Sequence, residues 1–179
     1  MSHAIRALIA IVITVASLPI MTATGAATGL ELTCTPPSSA SLTFAPPLTN
    51  TPQPVTNSVS RQYGPCVAPN HPGITAGSST ASALYPAGTC ERLLGSNPLT
   101  ITITWNTGQT STLSGNNLSN IIGGALVSTS TGTVTAGVFA GGTFVHNVVY
   151  LGQDLLLCNL GLGAVSSLYG LITLQIIAP

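Results

Sequence analysis

The sequence predicts an all-β protein, a single antiparallel β-sandwich of immunoglobulin-like outline that follows a cleaved signal peptide. Apolar and β-branched residues alternate with polar ones at period two in several segments. Short Gly- and Asn-containing turns separate these segments, and four cysteines offer crosslinks between them. No segment of comparable length after residue 27 shows a helical face with capping residues. The predicted strands are 30–33, 41–44, 55–61, 76–85, 98–105, 109–113, 131–139, 143–150 and 171–177.

Residues 1–27 have the pattern of a secretory signal peptide. His3 and Arg6 give a basic start, residues 7–20 form an uncharged apolar run, and small residues follow up to Ala27. A proline near the end of the run leaves it short of the roughly 18 to 25 apolar residues that a membrane helix needs. We therefore expect cleavage after Ala27 and one secreted or cell-surface-associated domain over residues 28–179.

Charge is almost absent from residues 28–179. Two arginines, Arg61 and Arg92, and three carboxylates, Glu31, Glu91 and Asp154, give a net charge of −1. The chain has no lysine. A nucleic-acid partner requires several cations to displace phosphate counterions, and an anionic membrane requires a polybasic cluster. The sequence therefore argues against nucleic acid as a partner, and against membrane contact apart from the signal peptide.

The first half of the domain predicts short strands that prolines interrupt. Because proline removes a ladder donor, dense prolines restrict strands to sheet edges or strand ends. Residues 63–75 resemble a long connection, and residues 76–85 a weak strand.

The second half carries the clearest strands. Residues 98–105 place Ile101, Ile103 and Trp105 on one face and threonines on the other, so Trp105 is predicted to lie in the core. Residues 106–108 predict a hairpin turn into the next strand. Residues 131–139 alternate again, and residues 143–150 place His146 on a face with aromatic and aliphatic side chains, which predicts a buried or half-buried histidine.

The C-terminal tail is uncharged from residue 155 to residue 178 and passes a simple hydropathy criterion for a membrane helix. Polar residues and glycines interrupt it every few positions, and residues 171–177 alternate. We expect a turn-rich connection followed by a closing strand, with a membrane tail as the alternative.

Four cysteines in an oxidising compartment predict two disulfides. Zinc is disfavoured because no pair has C-x-x-C spacing and residues 28–179 hold only two histidines. Three connectivities are possible. The pairing we favour joins Cys66 to Cys90, which closes a Pro- and Gly-rich loop, and Cys34 to Cys158, which ties an early strand to a late one.

Several segments together resemble the small secreted proteins of unassigned function that are common in actinobacteria. They are LTC at Cys34, FAPPLT at Phe44, YGPC at Cys66, ITWNTGQTST at Trp105, GTVTAGVFAG at Phe139, DLLLC at Cys158 and the apolar last strand. The resemblance covers most of the domain and is most specific in the TWNTGQTST hairpin and the GTVTAGVFAG strand. It implies a secreted β-sandwich and carries over no catalytic residue. The apolar tail is longer here than in that group.

Catalytic patterns are sparse. His146 and Asp154 could serve a serine nucleophile, but no G-x-S-x-G elbow is present. The three carboxylates are too scattered to suggest a glycosidase pair. His71 is most simply an exposed loop residue. We therefore predict no catalytic residue, no cofactor and no metal.

Tyr63 and Tyr85 lie in the loop-rich region and are the candidates for surface recognition. The function predicted is a non-enzymatic protein of the extracellular space or cell envelope that contacts another protein or a polymer such as a polysaccharide. The alternative is a carbohydrate-binding module that uses Tyr63 and Tyr85, and the third possibility is a hydrolase with an unrecognised site.

Overall fold

The computed structural model describes residues 29–151 and 153–179, so the predicted signal peptide and its cleavage site after Ala27 lie outside the described residues. Within these ranges no helix is long and apolar enough to cross a membrane. The strands are β1 Leu30–Cys34, β2 Ser39–Leu48, β3 Gln53–Tyr63, β4 Cys66–Val67, β5 Gly77–Gly88, β6 Gly95–Trp105, β7 Thr110–Ile122, β8 Ala125–Gly137, β9 Thr143–Leu151 and β10 Val165–Ile177. A 3-10 helix covers Cys90–Leu93, and α1 covers Gln153–Asn159.

The all-β class is confirmed, but the sheet closes on itself where an immunoglobulin-like sandwich was expected. Eight strands follow in the order β2, β3, β5, β6, β7, β8, β9 and β10, and β10 pairs back with β2 to complete a barrel. Both architectures show the same alternation along each strand. A barrel differs from a sandwich here in that the last strand, β10, pairs with β2. These two strands are separated by most of the chain.

β10 holds the barrel closed because it pairs along both edges. One edge runs against β9 from Tyr169 to Ile177, and the other is shared by β2 and β1. The closing strand predicted at 171–177 lies within β10 and is confirmed, with Ile172, Leu174 and Ile176 fully buried. The connection before it contains α1, which was not predicted; seven residues are too few for a helical period to show clearly.

The interior follows the period-two pattern in β6. Ile101, Ile103 and Trp105 are buried, and the threonines between them are exposed. The Trp105 indole Nε1 donates a hydrogen bond to Ser111 Oγ at 2.9 Å, and its ring meets Phe139 edge to face at 6.0 Å between centroids. The prediction that Trp105 belongs to the core is confirmed.

The barrel is weakly joined between β5 and β6. These strands pair only at Gly77 with Trp105 and at Ser78 with Thr104, although β5 continues to Gly88 and β6 begins at Gly95. The 3-10 helix lies in the connection between the end of β5 and the start of β6. Beyond Ser78 and Thr104, no hydrogen-bonded pairing joins β5 to β6 among the described residues.

The two predicted disulfides are present, but the favoured pairing was wrong. Cys34 bonds to Cys66, and Cys90 bonds to Cys158. Cys34 and Cys66 lie directly opposite each other on β1 and β4, with Cα atoms 4.1 Å apart. Cys158 on α1 meets Cys90 in the 3-10 helix. Both contacts depend on long-range packing that residue spacing does not reveal. Two disulfides are consistent with an extracellular location.

Candidate functional site: a cavity inside the barrel

A cavity of about 360 Å³ lies inside the barrel beside the β5–β6 separation. Tyr85 of β5, Arg92 and Leu93 of the 3-10 helix, and Asn97 of β6 line it from that side. Its volume is within the range of small-molecule pockets. The apolar part of the lining is Leu42, Leu93, Pro98, Leu99, Leu126 and Val148.

A closed ring of hydrogen bonds forms the polar wall on β7 and β8. Asn117 Nδ2 donates to Ser119 Oγ at 2.8 Å, and Ser119 Oγ donates to Ser128 Oγ at 3.1 Å. Ser128 Oγ and Ser130 Oγ both donate to Asn117 Oδ1, at 2.5 and 2.8 Å. Since every hydroxyl in this serine–asparagine cluster is engaged, the wall is fixed in place.

Strand register brings these groups together. Asn117 lies opposite Ser130 and Ser119 opposite Ser128 on β7 and β8, and Ser130 lies opposite His146 on β9. Residues two apart on a strand share a face, so the polar side chains form adjacent inward rows.

His146 lies between the cavity and the aromatic core. It is 2% exposed, and its Nε2 is 3.4 Å from the Tyr63 hydroxyl. Burial, and to a lesser degree the nearby positive charge of Arg61, lowers the pKa of His146 to about 3. The imidazole is therefore neutral at physiological pH. The prediction of a buried histidine is confirmed, but its Nδ1 has no hydrogen-bond partner in the part of the chain that the structure describes.

Tyr150 is the other buried ionisable group of the lining. Burial raises the pKa of Tyr150 to about 12, and the charge of Arg61 partly opposes this shift. After burial, the charge of Arg61 is the second cause that acts on the pKa of both groups.

Both arginines of residues 28–179 line this cavity. Arg61 on β3 is half-buried, and its Nε has no hydrogen-bond partner among the described residues. Arg92 is exposed, with its guanidinium carbon 5.4 Å from the centroid of the Tyr85 ring. Asn57 Nδ2 donates to the Tyr85 hydroxyl at 3.2 Å, whereas Asn57 Oδ1 is buried and unpartnered. No carboxylate of the described residues lines the cavity.

The two tyrosines predicted for surface recognition have different positions. Tyr85 is half-buried and lines the cavity. Tyr63 is only 2% exposed, so its assignment to the surface was wrong. It ends β3 facing inward, where its ring lies 6.4 Å from that of Trp105. Because Tyr63 pairs with Gly77 and Tyr85 with Val55, the two tyrosines lie at opposite ends of the β3–β5 pair and form no joint platform.

The candidate catalytic pair is not assembled. His146 has Tyr63 as its hydrogen-bonding neighbour, and Asp154 is exposed on α1 and does not line the cavity. His71 is exposed as predicted, with its ring edge-on to Phe139 at 5.2 Å. Among residues 29–151 and 153–179, no three His, Cys, Asp or Glu side chains are grouped so that they could hold a metal ion.

Sequence reasoning missed Arg61, Asn57 and the serine–asparagine cluster as site residues. A signal was present: Asn117 and Ser119, and Ser128 and Ser130, are polar pairs at period-two spacing beside inward leucines and valines. Polar residues at inward positions of a strand indicate an interior cavity with a polar lining.

No protein-family model, curated protein or solved structure matches the chain. The resemblance to small secreted actinobacterial proteins therefore stays a prediction.

Proposed function

We propose that this is a secreted, non-enzymatic binding protein that holds a small ligand in the cavity of its barrel. The sequence suggested a protein or a polymer as the partner. An interior cavity is better suited to a small molecule than to either of these. Eight-stranded barrels have an interior wide enough to hold one small ligand.

One observation carries this proposal. Three buried polar atoms on residues of the cavity lining, Asn57 Oδ1, Arg61 Nε and His146 Nδ1, have no hydrogen-bond partner among residues 29–151 and 153–179. A buried polar atom left unpaired costs about 1 to 3 kcal/mol, and such costs concentrate where a ligand supplies the missing partner. The adjoining serine–asparagine cluster is satisfied internally, which confines the unmet bonding capacity to three places around the cavity.

NMR chemical-shift mapping tests the proposal with small probes: octan-1-ol, octanoate and glucose. We expect shifts that concentrate on the cavity lining. Leu99→Trp fills the cavity from β6 and should abolish them, because Leu99 is half-buried in the lining. Leu118→Trp is the matched control, since Leu118 is 51% exposed on β7. If no probe shifts the lining, or if Leu99→Trp leaves the shifts unchanged, the proposal is wrong.

Carbohydrate binding is the second candidate, and the position of Tyr85 favours it. A half-buried ring with a hydroxyl held by Asn57 can pack against a sugar face beside polar groups. Shifts with glucose alone, centred on Tyr85, would select this candidate over an amphipathic ligand.

Secretion is tested separately by intact mass. The exported protein should match a chain that begins at Thr28, and a mature form retaining Met1 would contradict the signal peptide.

A further inference from the structure

The placement of charge is the feature that the proposed function does not yet explain. Residues 28–179 hold two cationic side chains apart from histidine, and both reach the same cavity. The three carboxylates, Glu31, Glu91 and Asp154, are absent from its lining. Glu31 is half-buried on β1, and Glu91 and Asp154 are exposed. A chain that is nearly uncharged thus concentrates positive potential in one interior space.

The surroundings of Arg61 leave its guanidinium able to bind an anionic ligand. It is half-buried, its Nε is buried without a partner, and its neighbours in the cavity are the neutral His146 and Tyr150. A guanidinium presents its donors in a planar fork that matches a carboxylate or sulfonate. No carboxylate of the described residues lines the cavity beside it, and a partly desolvated cation without a counter-ion is costly unless a ligand supplies the opposite charge.

We propose that the ligand is an amphipathic organic monoanion, whose carboxylate or sulfonate head binds Arg61 and whose apolar body lies against Leu99, Leu126 and Val148. This inference rests on the proposed function and deepens it. Arg92, exposed beside Tyr85 at the side of the β5–β6 separation, adds attraction for an incoming anion.

The test compares two probes with the same eight-carbon body, octanoate and octan-1-ol, by calorimetric titration at pH 7 in low salt. We expect octanoate to bind at least about tenfold more tightly, because a hydrogen bond between a guanidinium and a carboxylate is stronger than one between a guanidinium and a neutral hydroxyl. Arg61→Gln should remove that preference by weakening octanoate alone. Arg61→Lys keeps the charge and should retain most of it. Thermal melts of both variants confirm that the barrel is folded.

The outcomes separate the two proposals. Equal binding of both probes to the unaltered protein overturns the anion inference and leaves the cavity as a binding site for neutral ligands. A preference that survives Arg61→Gln also overturns it, since the charge would then act from elsewhere. Binding of neither probe, with no shift on the cavity lining, overturns both proposals.

Discussion

At the scale of single residues, His146 makes the stability of the barrel depend on pH. Its pKa is lowered to about 3 in the folded state by burial and by Arg61, against about 6.5 in an unfolded chain. Between these values the unfolded state binds the extra proton, so stability falls as pH decreases through this window. At pH 5 the loss from this residue is on the order of 2 kcal/mol relative to neutral pH.

The variant His146→Gln isolates this contribution. Thermal or urea unfolding at pH 7 and pH 5 should show a smaller loss of stability for the variant than for the unaltered protein. The groups around the ring do not titrate in this range: burial raises the pKa values of Tyr63 and Tyr150, and Arg61 stays charged. Equal pH dependence in both proteins would show that His146 is not the cause.

Asn106 anchors the connection that follows β4. Its Oδ1 accepts hydrogen bonds from the backbone N–H groups of Thr75 and Ala76 at 3.0 and 3.2 Å, and its Nδ2 donates to the Gly73 carbonyl at 2.9 Å. Asn106→Ala removes all three, and we expect a loss of about 2 kcal/mol in unfolding free energy. Asn116→Ala, at an exposed position on β7, should change it little. Equal melting temperatures for the two variants would contradict this role.

At the scale of secondary-structure elements, β10 is the strand on which closure depends. A chain ending at Gly170 loses the pairing of β10 with β1 and the fully buried Ile172, Leu174 and Ile176. Burying each is worth roughly 1.5 to 3 kcal/mol, so the sum of about 4.5 to 9 kcal/mol is a large part of the net stability of a typical domain, about 5 to 15 kcal/mol. We expect this truncation to abolish the cooperative melt, as measured by circular dichroism.

A chain ending at Ile177 is the control for that truncation and should keep the melt of the full domain, because β10 remains complete. Retention of the same melting temperature after truncation at Gly170 would show that the barrel does not need its closing strand.

Some strands were predicted over most of their length and others only in part. The missed parts of β7 and β8 are among those that line the cavity. Residues 98–105, 143–150 and 171–177 alternate cleanly because their inward positions are apolar or aromatic apart from His146. β7 was predicted only to residue 113 and β8 only from residue 131. The missed parts carry the serine–asparagine cluster, so hydrophobic alternation fails where the interior becomes polar. Local pattern also says nothing of which strands meet, which is why barrel closure was not predicted and the predicted disulfide pairing was wrong.

At the scale of the whole molecule, the barrel divides its interior by polarity. Trp105, Phe139 and Phe144 belong to the apolar core, whereas Asn117, the serines and Arg61 line the cavity. One body of strands therefore provides both a stabilising core and a polar site, with His146 where they meet.

The two disulfides have different positions relative to the cavity, and this gives the last prediction. Cys34–Cys66 joins β1 to β4, whereas Cys90–Cys158 joins α1 to the 3-10 helix that carries Arg92 and Leu93. On the chain-entropy model, crosslinks over separations of 32 and 68 residues are worth about 3.7 and 4.4 kcal/mol. Removing either should therefore lower stability by similar amounts.

The two disulfides should differ in their effect on ligand binding. The double variant Cys90→Ala with Cys158→Ala frees the 3-10 helix from α1, so we expect weaker binding of octanoate well below the melting temperature. Cys34→Ala with Cys66→Ala is the matched control and should bind as the unaltered protein does, because neither β1 nor β4 contributes a residue to the cavity lining. Calorimetric titration of both variants measures this difference. Equal weakening would mean that the disulfides act only through global stability, and unchanged binding in both would mean that the 3-10 helix keeps its position without the crosslink.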